Sequence, residues 1–114
     1  TMSSEESNFA YTVRCEIEKA EVAERWAAWI TGGHIADVKA GGATSGMLVK
    51  LDAAHVPEGK AAVYEVRYTF PNAAAFATYE KDHAPALREE GLTKFPLSDG
   101  LAYSRSTGNI EHRE

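Results

Sequence analysis

Residues 9–17 read FAYTVRCEI and residues 62–70 read AVYEVRYTF. In the first, Phe9, Tyr11, Val13, Cys15 and Ile17 alternate with Ala10, Thr12, Arg14 and Glu16; in the second, Tyr64, Val66, Tyr68 and Phe70 alternate with Val63, Glu65, Arg67 and Thr69. A period of two marks a strand with one face turned to a core. Between them, Val22, Trp26, Trp29 and Ile30 recur at i, i+4, i+7 and i+8 and predict a helix over 18–31. Gly32-Gly33 predicts its end, because glycine takes the left-handed conformation of a C-cap at little cost. A short helical continuation over 34–39 leads to Gly41-Gly42. Residues 44–51 read as another strand, and Pro57-Glu58-Gly59 supplies a turn before the strand at 62.

Beyond Phe70, Pro71 stops the strand and Asn72 is suited to cap a helix from Ala73. Phe76, Tyr79, His83 and Leu87 share a stripe on it. Pro85 predicts a break near Asp82, which would cap a second start, with Gly91 closing the segment. A last strand over 98–107 carries Leu101, Tyr103 and Arg105. Under right-handed crossovers, the order strand, helix, strand, strand, helix, strand predicts an α+β, ferredoxin-like βαββαβ fold. Its four-stranded antiparallel sheet would have two helices on one face and the first and third strands at the centre.

The composition fits one domain, expected over residues 9–107, with flexible termini at 1–8 and 108–114. Of the 114 residues 44% are hydrophobic, enough to build a core. The net charge of −5 argues against a nucleic-acid partner, which needs a basic patch to replace counterions. No run approaches the ~20 apolar residues that span a bilayer, and no basic-then-apolar leader pattern is seen, so no membrane partner is expected. Cys15 is the lone cysteine and cannot form an internal disulfide; a reducing cytoplasm is the expected location.

Two groups of residues could carry chemistry. His34 and His83 each follow one helical stretch and precede another. Such a ring either satisfies backbone groups at a helix end or acts as acid or base, with an ordinary pKa near ~6.5. His83 is the preferred catalytic candidate, because Asp82 and the Tyr79 hydroxyl are close in sequence. The second group, Arg14, Glu16, Glu65 and Arg67, shares the sheet face opposite the apolar one. These charges either pair across the strands beneath a second copy of the sheet or open onto a cavity where an arginine meets an anion. Arg14, Arg67, Glu65 and His34 are the expected ligand-binding residues. The half-polar face, with no helix left to cover it, predicts a homodimer. Trp26, Trp29, Phe76 and Tyr79 read as core, and Cys15 as inert packing. No metal or cofactor is expected: there is no CxxC or HExxH spacing, and Gly32-Gly33 and Gly41-Gly42 follow helices instead of opening them as phosphate loops do.

Trp26-x-x-Trp29 followed by His34-Ile35-Ala36-Asp37-Val38, and Phe76-x-x-Tyr79 followed by His83-Ala84-Pro85-Ala86-Leu87 with Arg88 and Gly91-Leu92, resemble the ferredoxin-like dimeric α+β barrel superfamily, in a branch of unknown function. The resemblance spans about residues 9 to 106 and makes the chain a pseudo-repeat of two halves. It implies a dimer with sheets packed face to face. Superfamily members range from monooxygenases and isomerases to proteins without known reaction, so fold alone does not set function. Two expectations follow. One is a structural or small-ligand-binding dimer. The other is a cofactor-independent isomerase or monooxygenase acting on a small aromatic or anionic molecule in the inter-sheet pocket, with Arg14 and Arg67 orienting charge and His83 or Tyr68 moving a proton.

Overall fold

The two long alternating stretches pair with each other. In the computed structural model, which describes residues 7–114, β1 (Phe9–Ile17) lies antiparallel to β3 (Ala62–Phe70), with Tyr11 opposite Tyr68, Val13 opposite Val66 and Cys15 opposite Tyr64. β2 (Ser45–Lys50) adds to β3 and β4 (Leu101–Asn109) adds to β1, giving the order β2-β3-β1-β4. This is the ferredoxin-like sheet, with the first and third strands central.

Directly opposed residues share a face, so the register fixes what each side of the sheet carries. Toward the helices run the rows Gly46-Tyr68-Tyr11-Thr107, Leu48-Val66-Val13-Arg105 and Lys50-Tyr64-Cys15-Tyr103. The outer face carries Met47-Arg67-Thr12-Ser106 and Val49-Glu65-Arg14-Ser104. β4 runs two residues past the expected Thr107, because Gly108 and Asn109 pair with Ala10 and Phe9. The backbone of Ile110 then donates to Asn8 at 2.8 Å. Ser7 is buried and bonded to Thr44. Part of the expected flexible ends is thus tied to the sheet, while residues 1–6 lie outside the described residues.

Both crossover connections are broken helices. α1 (Ala20–Trp29) and α2 (Ile35–Ala40) are joined through Ile30–His34, which kinks at Gly33. Gly32-Gly33 ends the first helix as expected: Gly33 takes φ 151°, a non-helical conformation that side chains disfavour, and the short helix beyond it is the expected continuation. The second crossover is α3 (Ala73–Asp82) followed by α4 (Ala84–Lys94). Asn72 caps α3 as expected, its Oδ1 accepting the Ala75 N–H at 2.8 Å. The break falls at His83, so His83 and not Asp82 occupies the cap position of α4. Pro85 sits in the first turn of α4, where its missing N–H costs no helical bond. Gly91 does not close α4 but lies inside it: a Cβ there would stand 3.1 Å from the Trp29 ring, so glycine lets the two crossovers approach.

The core fills the helix side of β1 and β3. Ile17, Trp26, Val66 and Phe70 are fully buried there, with Phe70 packed on Phe76 and Tyr79. Burying side chains of this size contributes roughly 1.5–3 kcal/mol each.

Candidate functional site

The core does not fill the whole space under the helices. Between the sheet and the two broken crossovers lies a cavity of about 490 Å³. Its floor is Tyr11, Val13, Val66, Tyr68, Tyr103 and Arg105, and its roof includes Trp26, Trp29, His34, Leu87 and Arg88. A volume of this order accommodates a small organic ligand. The breaks explain the space: a straight α1 would carry its last turn along the sheet, whereas the kink at Gly33 redirects the chain and delivers His34 back against Trp29. The His34 and Trp29 ring centroids are 4.4 Å apart.

Two polar atoms on this lining have no hydrogen-bond partner among the described residues, His34 Nδ1 and the Tyr68 hydroxyl, and both are buried. Buried polar groups are nearly always paired, and each one left unmade costs about 1–3 kcal/mol. The environment keeps both groups neutral. Burial holds the His34 imidazolium form down and lowers its pKa, against a smaller opposing effect of the Glu90 and Asp37 carboxylates. Burial likewise pushes the Tyr68 phenol up, helped by Tyr79 and Tyr11. At neutral pH the site thus presents a phenol that donates and an uncharged imidazole.

The other polar groups of the lining are largely engaged. Trp26 Nε1 donates to the Tyr103 hydroxyl at 2.9 Å. Burial pushes the Tyr103 phenol up to about 12. Arg88 pairs with Glu80 at 2.7 Å and reaches the Tyr11 hydroxyl at 3.4 Å. Burial, which acts to lower the Arg88 pKa, is outweighed by these two contacts, and its charge is held firmly. Among the described residues no cluster of three or more metal-ligating side chains occurs.

The candidates read from the sequence divide between the two sides of the sheet. His34 and Tyr68 come together at the cavity. Arg14, Glu65 and Arg67 lie on the outer face, away from it. There Arg14 meets Glu16 at 3.2 Å and Glu65 at 3.6 Å, and Arg67 meets Glu65 at 2.8 Å, so the charges settle one another. His83 is exposed and does not line the cavity; its ring lies parallel to Tyr79 at 6.4 Å and against Gly41. Its proximity to Tyr79 and Asp82 in sequence places it at a helix break that turns outward. The cavity lies between the sheet and its own helices, on the opposite side from the inter-sheet pocket that was expected. Cys15 is fully buried, and burial pushes its thiol up to about 12, as inert packing requires.

Sequence reasoning missed Trp29, Arg88 and Arg105 as cavity residues. One signal was legible: Leu101, Tyr103 and Arg105 fall on alternate positions, so an arginine stands in phase with two apolar residues. Arg88 gave none, since its inward direction depends on where α4 begins.

Sheet, broken crossovers and internal cavity together define a ferredoxin-like α+β domain with a ligand-sized hollow beneath its helices. A crystallised dimeric ferredoxin-like protein from an uncultured marine organism superposes with a TM-score of 0.67 at 12% identity, over 96% of this chain and 100% of the other. A second dimeric ferredoxin-like protein from an uncultured marine organism gives 0.65 at 11%, over 98% and 95%. SnoaB, a cofactor-independent oxygenase from Streptomyces nogalater, gives 0.60 at 12%, over 95% and 97%. At such identities the likeness is one of fold. No curated protein matches the sequence. Residues 8–106 match the family model of a domain of unknown function, DUF4286, and the chain belongs to that family.

Proposed function

We propose that this protein binds a small, largely apolar and planar molecule in the cavity between its sheet and its helices. The observation that carries this reading is the pair of unpartnered buried polar atoms, His34 Nδ1 and the Tyr68 hydroxyl, on one aromatic lining. An aromatic wall favours a flat ligand body, and two inward polar groups fix its orientation. Titration calorimetry with 2-naphthamide, a neutral flat amide, tests it: saturable 1:1 binding is expected, weakened about tenfold in Tyr68→Phe, the loss of one hydrogen bond. The same substitution removes an unsatisfied buried group and raises the thermal midpoint. Absence of saturable heat, or equal affinity in both proteins, overturns the reading.

The binding unit in this proposal is a homodimer joined through the outer sheet faces. Its charges are already paired within the chain, Met47 beside them is 55% exposed, and related folds are described as dimeric. Sedimentation at micromolar concentration reads the assembly, and a monomer would sink it. The described residues include no helix long and apolar enough to cross a membrane, and a free buried thiol at Cys15 suits a reducing cytoplasm.

A second reading, turnover without a cofactor, is favoured by the buried neutral His34. In it His34, in place of His83, takes a proton from a carbon beside a carbonyl, Tyr68 donates to that carbonyl oxygen, and return of the proton at another carbon completes an isomerisation. A monooxygenase would pass through the same proton removal, with dioxygen as co-reactant. Exchange of the α-protons of 2-tetralone in heavy water, followed by NMR, should be faster with the wild type than with His34→Gln. Equal rates leave a binding protein.

A further inference from the structure

We propose that the natural occupant of this cavity is an aromatic acid and that Arg105 receives its negative oxygen. This rests on the binding reading above and names the class of ligand. Arg105 ends the helix-side row Leu48-Val66-Val13-Arg105 at the edge strand and is an exposed residue of the cavity lining, so its end of the cavity is a mouth open to solvent. The residue is exposed, and its guanidinium lies 5.4 Å from the centre of the Tyr103 ring, a cation–π contact that fixes its stem without using its outward N–H groups.

The other arginines are engaged by an oxygen. Arg14, Arg25, Arg67 and Arg88 each have a carboxylate within 4 Å and Arg113 donates to the Ser7 carbonyl, while Arg105 has no carboxylate partner among the described residues. This is in a protein with 17 acidic residues against 12 basic ones, where a partner would be easy to supply. The second arginine of the lining, Arg88, is neutralised by Glu80 at 2.7 Å, so the uncompensated positive charge of the site is that of Arg105. Its field reaches the lining: it favours the ionised forms of Tyr79 and Tyr103 against their burial.

A planar guanidinium fork suits a carboxylate, which it can hold by two parallel bonds. The ligand then has three parts in order. An anionic oxygen stays at the mouth with Arg105, a flat apolar body lies along Trp26, Trp29 and Tyr11, and a hydrogen-bonding group inside meets Tyr68 and His34.

The test compares 6-hydroxy-2-naphthoate with 6-hydroxy-2-naphthamide, which share a shape and an inner hydroxyl for Tyr68 and His34 and differ in charge at the Arg105 end, on wild type and on Arg105→Met at low salt. The wild type should bind the naphthoate about tenfold more tightly than the naphthamide, the size of one charge-assisted contact. Arg105→Met, at an exposed position, should keep its thermal midpoint and lose the preference for the naphthoate over the naphthamide. Equal binding of the two probes by the wild type, or a preference that survives in Arg105→Met, overturns the assignment to Arg105 while leaving the cavity reading standing. If neither probe binds, the cavity reading fails and takes this one with it.

Discussion

The two crossover connections carry the same sequence device, an aromatic pair followed by a histidine at a helix break, and put it to opposite ends. In the first, a kink at Gly33 between two helices folds His34 inward onto Trp29, where its Nδ1 finds no partner among the described residues. In the second, the helix simply stops and restarts at His83, whose ring stays in solvent beside Tyr79. The difference comes from backbone and not from side-chain type. A glycine at φ 151° permits a reversal that the segment Asp82-His83-Ala84-Pro85 does not make. A repeated motif therefore marks an architectural position, and the local chain geometry decides whether it becomes part of a site.

The largest effect that could break this comparison lies in the aromatic pairs. Trp26 is 1% exposed and bonded to Tyr103, while its counterpart Phe76 is half-buried. Trp26→Ala should cost about 3–5 kcal/mol in urea unfolding, the upper range for a large core truncation, and Phe76→Ala clearly less. Equal costs would mean that the two halves share the load and that the cavity side has no special anchoring. Next comes Gly33→Ala, which forces a Cβ into a disfavoured conformation and should cost about 1–3 kcal/mol. It should also weaken naphthamide binding by displacing His34. Gly32→Ala, with no neighbour within 4 Å and no positive φ, is the control and should be near neutral.

Strand alternation was enough to locate the strands, because a period of two is set by the pleat and survives any packing detail, and right-handed crossovers then gave the order of the sheet and its central pair. The outer-face cluster of Arg14, Glu16, Glu65 and Arg67 was legible for the same reason, and its self-pairing was one of the two outcomes open to it. The helix break at Gly32-Gly33 and the short helix after it were legible too; where the second helix turns His34 was not, because that depends on Ile35–Ala40 packing Val38 into the core. Gly91 read as a terminator, yet it is held by the Trp29 ring, a contact between residues 62 positions apart. His34 and Tyr68 were visible as candidates; that they face one cavity with Arg105 depends on register and on the kink at Gly33 together.

A smaller and sharper effect concerns acidity. Since burial lowers the His34 pKa below the ordinary value near 6.5, the unfolded chain binds the proton more readily than the folded one. The stabilisation this represents is complete above about pH 6.5 and is lost as the pH falls through the folded-state value. His34→Gln should therefore flatten the fall of the thermal midpoint on acidification below pH 6.5. An unchanged slope would place the His34 ring in contact with water.

The smallest expected effect is at the matching position. His83 is exposed, and its contacts are one face of Tyr79 and the backbone at Gly41, where a Cβ would stand 3.0 Å from the His83 ring. Surface substitutions without a buried partner change stability by no more than about 0.5 kcal/mol, so His83→Gln should unfold within that margin of the wild type and bind naphthamide with the same affinity. Gly41→Ala gives the reciprocal view, since the added methyl pushes on both His83 and Tyr79; because the His83 ring can swing into solvent and Tyr79, 4% exposed, cannot, any cost is carried by Tyr79. The double variant Gly41→Ala/His83→Gln should then be no more stable than Gly41→Ala alone. If removing His83 rescued Gly41→Ala, the outward histidine would be as firmly packed as the inward one, and the contrast between the two breaks would reduce to exposure alone.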